Sequence, residues 1–201
     1  MARPSKPKLS TTAIADAALQ LVDVHGEFTL PQLAKALSVS ASSLYNHVAG
    51  KDEIIELMRG RAMSAVSLPD TDSGDWQETI RKIATSYWES YSKHPRLIPL
   101  LTSHTVRDRT TLRVYDALAE ALEHAGFEPG TRLYAITIID SFVLGSALDA
   151  AAPEEVWEID GESTRAFKLA LDAGTNDPLR AETAFQLGMD VVLNGLGTML
   201  L

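Results

Sequence analysis

Residues 29–51 read TLPQLAKALSVSASSLYNHVAGK, and this stretch decides the fold. It holds two short segments with apolar residues at helical spacing, separated by the polar break at 38–40. This spacing predicts two helices that bury one side against each other and against a preceding helix. Two short helices joined by a tight break form a helix-turn-helix motif. The apolar positions that predict this packing are Leu33, Ala34, Val39, Leu44 and Val48.

Helix start and stop signals surround this stretch. Ser10, Thr29 and Ser40 are candidate N-caps, because a side-chain oxygen there accepts a hydrogen bond from the first turn. Gly26 and Gly50 are candidate stop positions, because glycine readily takes the left-handed conformation that ends many helices. Four helices are therefore predicted in the N-terminal third of the chain. They cover residues 11–25, 30–37, 41–48 and 51–68.

The remainder of the chain shows helical periodicity, with no alternating strand pattern and no hairpin signal. The predicted fold class is all-α, with an N-terminal three-helix helix-turn-helix domain and a larger helical domain. We predict an N-terminal arm and helix-turn-helix domain over 1–50, a connecting helix over 51–68 and the larger domain over 69–201. The further predicted helices cover 76–93, 96–105, 108–125, 130–151, 163–173 and 180–199.

Composition limits the possible classes of protein. Cysteine is absent, which excludes disulfides, thiolate metal sites and cysteine nucleophiles and is typical of a reducing cytoplasm. No apolar signal segment follows Met1. The apolar run 133–152 contains Asp140 and Asp149, so we interpret it as a buried helix and not as a membrane span. We therefore expect a cytoplasmic protein with no membrane partner.

Charge is divided unevenly along the chain. The formal net charge is −9, which taken alone disfavours a nucleic-acid partner. Residues 1–67 nevertheless carry +1, and the remainder carries −10. The N-terminal end can therefore approach phosphate while the acidic end faces away from it. The basic tip, residues 1–9, either lies in a DNA groove or is a solvated tail.

The outer face of the predicted third helix carries residues suited to nucleic acid. Ser and Asn side chains bond to base edges or phosphates, and a Tyr hydroxyl, a His and a Lys suit phosphate oxygens. Tyr45 has the alternative role of a core aromatic. His47 has no second His at i+4, which disfavours a metal-ligand role. The predicted DNA-binding residues are Thr29, Ser42, Ser43, Tyr45, Asn46, His47 and Lys51.

The same stretch resembles the tetracycline-repressor (TetR) family of transcriptional regulators. The match is the pattern A-x-x-L-x-V-S-x-x-x-L-Y-x-H-V-x-x-K-D-E-(I/L) over residues 34–54, preceded by A-x-x-L-x-x-x-x-G over 18–26. The resemblance implies that Tyr45, His47 and Lys51 contact the DNA backbone. It also implies that the larger helical domain binds a small ligand and forms a homodimer.

The C-terminal part resembles the ligand-binding domain of the tetracycline repressor at residues 76–77, 126–127 and 132–148. This chain departs from that protein at Ile83 and Leu101, which are apolar near positions where the repressor has polar ligand residues. We therefore predict no tetracycline or magnesium site, no other metal site and no cofactor.

Five side chains of the C-terminal part are candidate ligand residues. Aromatic rings with polar atoms suit an apolar ligand cavity, although ordinary core packing explains them as well. Asp140 lies within an apolar helix, where an unpaired carboxylate is costly. We therefore expect it to have a partner, such as Arg132 or a group of a partner chain. The candidates are Tyr87, Tyr91, His104, Asp140 and Trp157.

These observations predict a ligand-responsive transcriptional regulator, a repressor that an unidentified small molecule releases from a palindromic DNA operator. Small residues at 145–147 and 188–197 allow close helix approach, which suits either a homodimer interface or a tightly packed monomer core. We find no nucleophile elbow, phosphate loop, dinucleotide fingerprint or zinc motif, so we expect no enzyme and no catalytic residue. The alternative, which the acidic charge supports, is a helical ligand-binding or adaptor protein without specific DNA binding.

Overall fold

The computed structural model describes residues 9–69, 74–153, 155–159, 163–174 and 177–200. Every regular element within these ranges is helical, which confirms the predicted all-α class. Most of the predicted N-terminal arm and part of the 69–74 connection lie outside the described residues. The helices are α1 (Thr11–His25), α2 (Leu30–Ala36), α3 (Ala41–Tyr45), α4 (Lys51–Met63), α5 (Trp76–Ser92), α6 (Ile98–Leu101), α7 (Arg109–His124), α8 (Pro129–Asp149), α9 (Arg165–Gly174) and α10 (Arg180–Gly197), with 3₁₀ turns at Pro95–Leu97 and Thr198–Leu200.

The predicted N-caps are confirmed. Ser10 Oγ accepts from the backbone N–H of Ala13 at 3.1 Å. Thr29 forms a reciprocal capping box with Gln32, whose side chain accepts from the Thr29 backbone N–H at 2.8 Å. Ser40 Oγ caps α3 by accepting from the backbone N–H of Ser43 at 3.2 Å. These caps satisfy backbone donors that would otherwise lack partners, and they fix where three helices begin.

Three helices end several residues before their predicted ends, and one of them is α6, which ends at Leu101 and not near residue 105. The α3 helix ends at Tyr45 and not at Val48, because the chain turns there so that the Val48 side chain, 3% exposed, enters the core. The α4 helix ends at Met63 and not near residue 68. Beyond it the chain bends toward α5, where the Ser67 backbone N–H donates to Ser86 Oγ at 3.0 Å.

One continuous core connects the two halves of the molecule. In the N-terminal half, α1 packs on α4, and the short α2 and α3 close the remaining side. In the C-terminal half, α5 packs on α7 and α8, and α10 packs on α8. The helix α4 contributes to both halves, because it also contacts α5, α6 and α7. A displacement of the C-terminal bundle therefore has a direct packing route to the N-terminal helices.

The interpretation of the long apolar helix as buried is wrong for one of its faces. By length and composition α8 could cross a membrane, but its buried stripe packs against α5, α7 and α10. Its other face exposes large apolar side chains, including Tyr134 at 70%. One face of α10 is also exposed, with Val191 at 72%. The exposed apolar residues of these two helices are Leu133, Tyr134, Ile138, Leu148, Leu187 and Val191.

Candidate functional site

The residues predicted to bind DNA lie at the surface of the N-terminal half. Tyr45 is 57% exposed, so the alternative that it is a core aromatic does not hold. Ser42, Asn46 and His47 are also exposed, and Ser43 is half-buried. Leu44 faces inward with 1% exposure, so it anchors α3 while its neighbours face solvent.

Lys51 lies beside the turn that precedes α2. Its Nζ is 5.3 Å from the centre of the Phe28 ring, which is a cation–π distance. Phe28 itself is buried and directly precedes Thr29, the N-cap of α2. The first turn of α4 and the start of α2 thus lie close together, with Lys51 and Thr29 both exposed.

Three serine hydroxyls form a network at the start of α3. Ser40 Oγ lies 2.8 Å from Ser42 Oγ and 2.8 Å from Ser43 Oγ. The Ser43 backbone N–H donates to Ser40 Oγ at 3.2 Å. The two serines predicted to bind DNA are therefore held in place by the N-cap of their own helix.

A tyrosine cluster, Tyr87, Tyr91, Tyr115 and Asp140, lies among α5, α7 and α8. The hydroxyls of Tyr87 and Tyr115 both donate to Asp140 Oδ1, at 2.8 and 2.9 Å. The rings of Tyr87 and Tyr91 meet edge to face with their centres 5.0 Å apart. The Tyr91 hydroxyl is buried and has no hydrogen-bond partner among the described residues.

Asp140 has structural partners, as predicted, but Arg132 is not one of them. Arg132 lies eight residues earlier on the same helix, about 12 Å away along the axis, and it bonds to the carbonyl of Phe127 and the carboxylate of Glu123. Tyr115, which supplies one of the actual partners, is not among the candidate ligand residues predicted from the sequence. Its hydroxyl could have been recognised as a buried donor in need of an acceptor.

Burial and the Asp140 charge keep the tyrosine hydroxyls protonated. Burial raises the pKa of Tyr87 well above its usual value, and the neighbouring carboxylate raises it further. The same two causes raise the pKa of Tyr115. Burial also raises the pKa of Tyr91, although the charge of Arg59 opposes this effect. The cluster therefore presents O–H donors around one acceptor.

His104 and Trp157 do not join the tyrosine cluster. His104 Nδ1 lies 2.8 Å from the Leu100 carbonyl oxygen, and its Nε2 lies 3.4 Å from Asp52. It lines an open groove of about 980 Å³ between the start of α4 and the α6–α7 connection. Trp157 is 46% exposed and lies under Arg180, 5.3 Å from the ring centre. The five candidate ligand residues thus occupy three separate places.

A buried ion pair that the sequence reading missed joins α4 to the α6–α7 connection. Arg59 is 6% exposed, and its guanidinium donates to the carbonyls of Leu101 at 3.2 Å and His104 at 3.1 Å. It also pairs with Glu56 at 2.8 Å. The second oxygen of Glu56 accepts from the backbone N–H groups of Arg107 at 2.7 Å and Asp108 at 3.1 Å. One turn of α4 therefore holds both ends of this connection.

Comparison with known proteins identifies the family. Residues 68–200 match the family described as tetracyclin repressor-like, C-terminal domain. The chain belongs to the TetR family of transcriptional regulators. It is 27% identical over 151 residues to the HTH-type transcriptional repressor DrrR1 of Streptomyces coeruleorubidus, a match that covers 72% of this chain and 56% of that relative. The chain thus spans just over half the length of DrrR1.

Solved TetR-family structures share the fold. The chain superposes on Streptomyces coelicolor ActR in complex with (S)-DNPA with a TM-score of 0.78 and 21% identity, covering 96% of this chain and 98% of ActR. It superposes on BioQ bound to its natural double-stranded DNA operator with a TM-score of 0.68 and 21% identity, covering 95% and 99%. The TetR family consists of regulators and not of enzymes, in agreement with the sequence-based expectation.

Within this TetR-family chain, the two positions that depart from the tetracycline repressor are core residues. Ile83 is fully buried and Leu101 is 4% exposed. Both side chains are apolar and offer no ligand atom to a metal chelate.

Proposed function

We propose that this TetR-family chain is a repressor that binds a palindromic operator as a homodimer and leaves it when a small molecule binds. The observation that carries the proposal is the exposed α3 face around Tyr45, held by a serine-capped helix start and flanked by Lys51. Small residues at the start of a helix let it enter a major groove, and neighbouring hydroxyl and ammonium groups bond to phosphate. BioQ, which shares the fold, has been solved with its operator.

The proposed dimer uses the exposed apolar faces of α8 and α10. Contiguous apolar side chains at a surface are typical of an interface, and two helices from each copy make a four-helix contact. Gly145 and Gly195 have open space where a Cβ would stand, so these helices can be approached closely. Gly188 differs, because a Cβ at this position would clash with the Phe142 ring within the same chain. A two-fold dimer would present its two α3 helices about one DNA turn apart.

The proposed ligand site is the tyrosine cluster, and the Arg59–Glu56 pair is the proposed route to DNA. ActR, which shares the fold, has been solved with the small molecules (S)-DNPA and actinorhodin. Tyr115 lies on α7, and Arg59 ties α4 to the connection that leads into α7. A ligand that favours a different α7 position would shift α4, with a coupling of about 1–3 kcal/mol between the two sites. The domain division at residues 50 and 68 and the cytoplasmic location belong to the same proposal.

Fluorescence anisotropy tests the proposal on a labelled DNA fragment from upstream of the gene. We expect binding that resists competitor DNA and weakens steeply with salt, because phosphate contacts release counterions. Tyr45→Ala should weaken this binding, whereas the control Lys82→Ala, which removes an exposed lysine of α5 paired with Glu78, should not. Equal binding to random DNA, with no effect of Tyr45→Ala, would favour the ligand-binding or adaptor alternative.

A further inference from the structure

Asp140 brings a carboxylate into the tyrosine cluster without a cationic partner. Within the described part of the chain, no Lys, Arg or His side chain forms an ion pair with it. Its Oδ1 accepts two tyrosine hydroxyls, and its Oδ2 has no hydrogen-bond partner among the described residues. A carboxylate has about four acceptor positions, so this half-buried group retains capacity for a donor.

Arg59 of α4 and Arg132 of α8 are bonded elsewhere. Arg59 is close enough to oppose the rise in the pKa of Tyr91, but its hydrogen bonds go to Glu56 and two backbone carbonyls. Arg132, on α8 itself, is bonded to Glu123 and to the Phe127 carbonyl. Partial removal of a carboxylate from water is costly unless a positive charge or several donors compensate it. Asp140 has two neutral donors and no bonded cation.

The tyrosines beside Asp140 offer aromatic rings to a ligand. Tyr87 and Tyr115 direct their hydroxyls at the carboxylate, and the Tyr91 ring meets the Tyr87 ring edge to face; the faces of such rings attract cations that come within about 6 Å of a ring centre. The buried Tyr91 hydroxyl and the buried Trp88 indole N–H are donors that have no partner among the described residues. An acceptor atom on a ligand would satisfy either of them.

We propose that the tyrosine cluster binds an organic cation, a protonated amine on an aromatic body, with the ammonium group on Asp140. This proposal rests on the proposed function, because it names the ligand class of the same site. The amine N–H donates to Asp140 Oδ2, the tyrosine rings pack against the aromatic body, and the Tyr91 hydroxyl donates to an oxygen of the ligand. A neutral aromatic of the same shape would lack the ion pair and would bind more weakly.

A matched pair of probes tests the proposal without DNA. 9-Aminoacridine is a cation at pH 7 and acridine is neutral, while the ring system is the same. We expect isothermal titration of the wild-type protein to show at least tenfold tighter binding of the cation. Asp140→Asn, which keeps the shape and removes the charge, should reduce this preference to about twofold or less. The control Asp149→Asn, on the same helix and paired with Arg180, should leave the preference unchanged.

Three results would overturn the proposal. The first is that the wild-type protein binds the cation no more tightly than neutral acridine, or does not bind the cation. This comparison decides even if Asp140→Asn does not fold. The second is a preference that survives in a folded Asp140→Asn protein, since the cation would then bind elsewhere. The third is an equal loss of the preference for the cation in Asp149→Asn, which would indicate that general surface charge and not Asp140 attracts the cation. Absence of operator binding would overturn the proposed function and leave these titrations unaffected.

Discussion

Replacing Arg59 by Met should destabilise the protein by about 3 kcal/mol. Met keeps most of the volume of the side chain and removes its charge. Hydrogen bonds to charged groups contribute about 1.5–3 kcal/mol each, and removing one partner of a buried pair costs about 3–5 kcal/mol. The lower end applies because Glu56 keeps its two bonds from the backbone of Arg107 and Asp108. The carbonyls of Leu101 and His104 would lose their donor.

Urea unfolding followed by circular dichroism at 222 nm measures this loss. All variants need the same protein concentration, because the proposed dimerisation would make apparent stability depend on it. A loss of about 3 kcal/mol lowers the folding equilibrium constant on the order of 100-fold. The matched control is Arg61→Met on the same helix, where Arg61 and Asp16 form a pair with side chains 49% and 42% exposed. Exposed pairs contribute about 0–1 kcal/mol, so an equal loss in both variants would refute the reasoning.

Three other changes have defined outcomes. Val191→Arg should leave a folded protein that sediments as a monomer, because the side chain is 72% exposed on the proposed interface; a dimer of unchanged affinity would contradict that interface. Gly188→Ala should cost about 1–3 kcal/mol through its clash with Phe142, whereas Gly130→Ala, with open space around it, should not destabilise; thermal unfolding compares the two. Burial raises the pKa of Glu56, but the backbone N–H of Arg107, the Arg59 guanidinium and other donors lower it below its usual 4.5 overall. The Glu56 carboxylate therefore stabilises the fold above about pH 4.5, and the stability difference between wild type and Glu56→Gln should shrink as pH falls from about 6 to 3; a constant difference would count against this linkage.

Local signals predicted the N-terminal helices well. Ser10, Thr29 and Ser40 cap helices as expected, because capping depends on residues within one turn of each other. The end of α3 was not predictable in the same way. It depends on Val48 reaching a core formed by other helices, and this requirement overrides local helix propensity.

Contacts between distant parts of the chain explain what the sequence reading missed. Arg59 is not among the functional residues predicted from the sequence, although it lies four residues after buried Ile55 and three before buried Ala62. This position on a buried stripe was the available signal, because a buried arginine requires partners. The carbonyls that it bonds lie more than 40 residues away, at Leu101 and His104, and no local pattern identifies them.

The serine network at the start of α3 also constrains how this protein can evolve. Ser42 and Ser43 are bonded to the hydroxyl that caps their helix. Under the proposed function, a substitution at either serine that suits a new operator would also perturb folding of the α3 helix. The side chains of Ala41 and Asn46 are exposed and take no part in this serine network. If α3 binds the operator as proposed, selection for a new target sequence would act through Ala41 and Asn46 first, while selection for a folded α3 would preserve the serines.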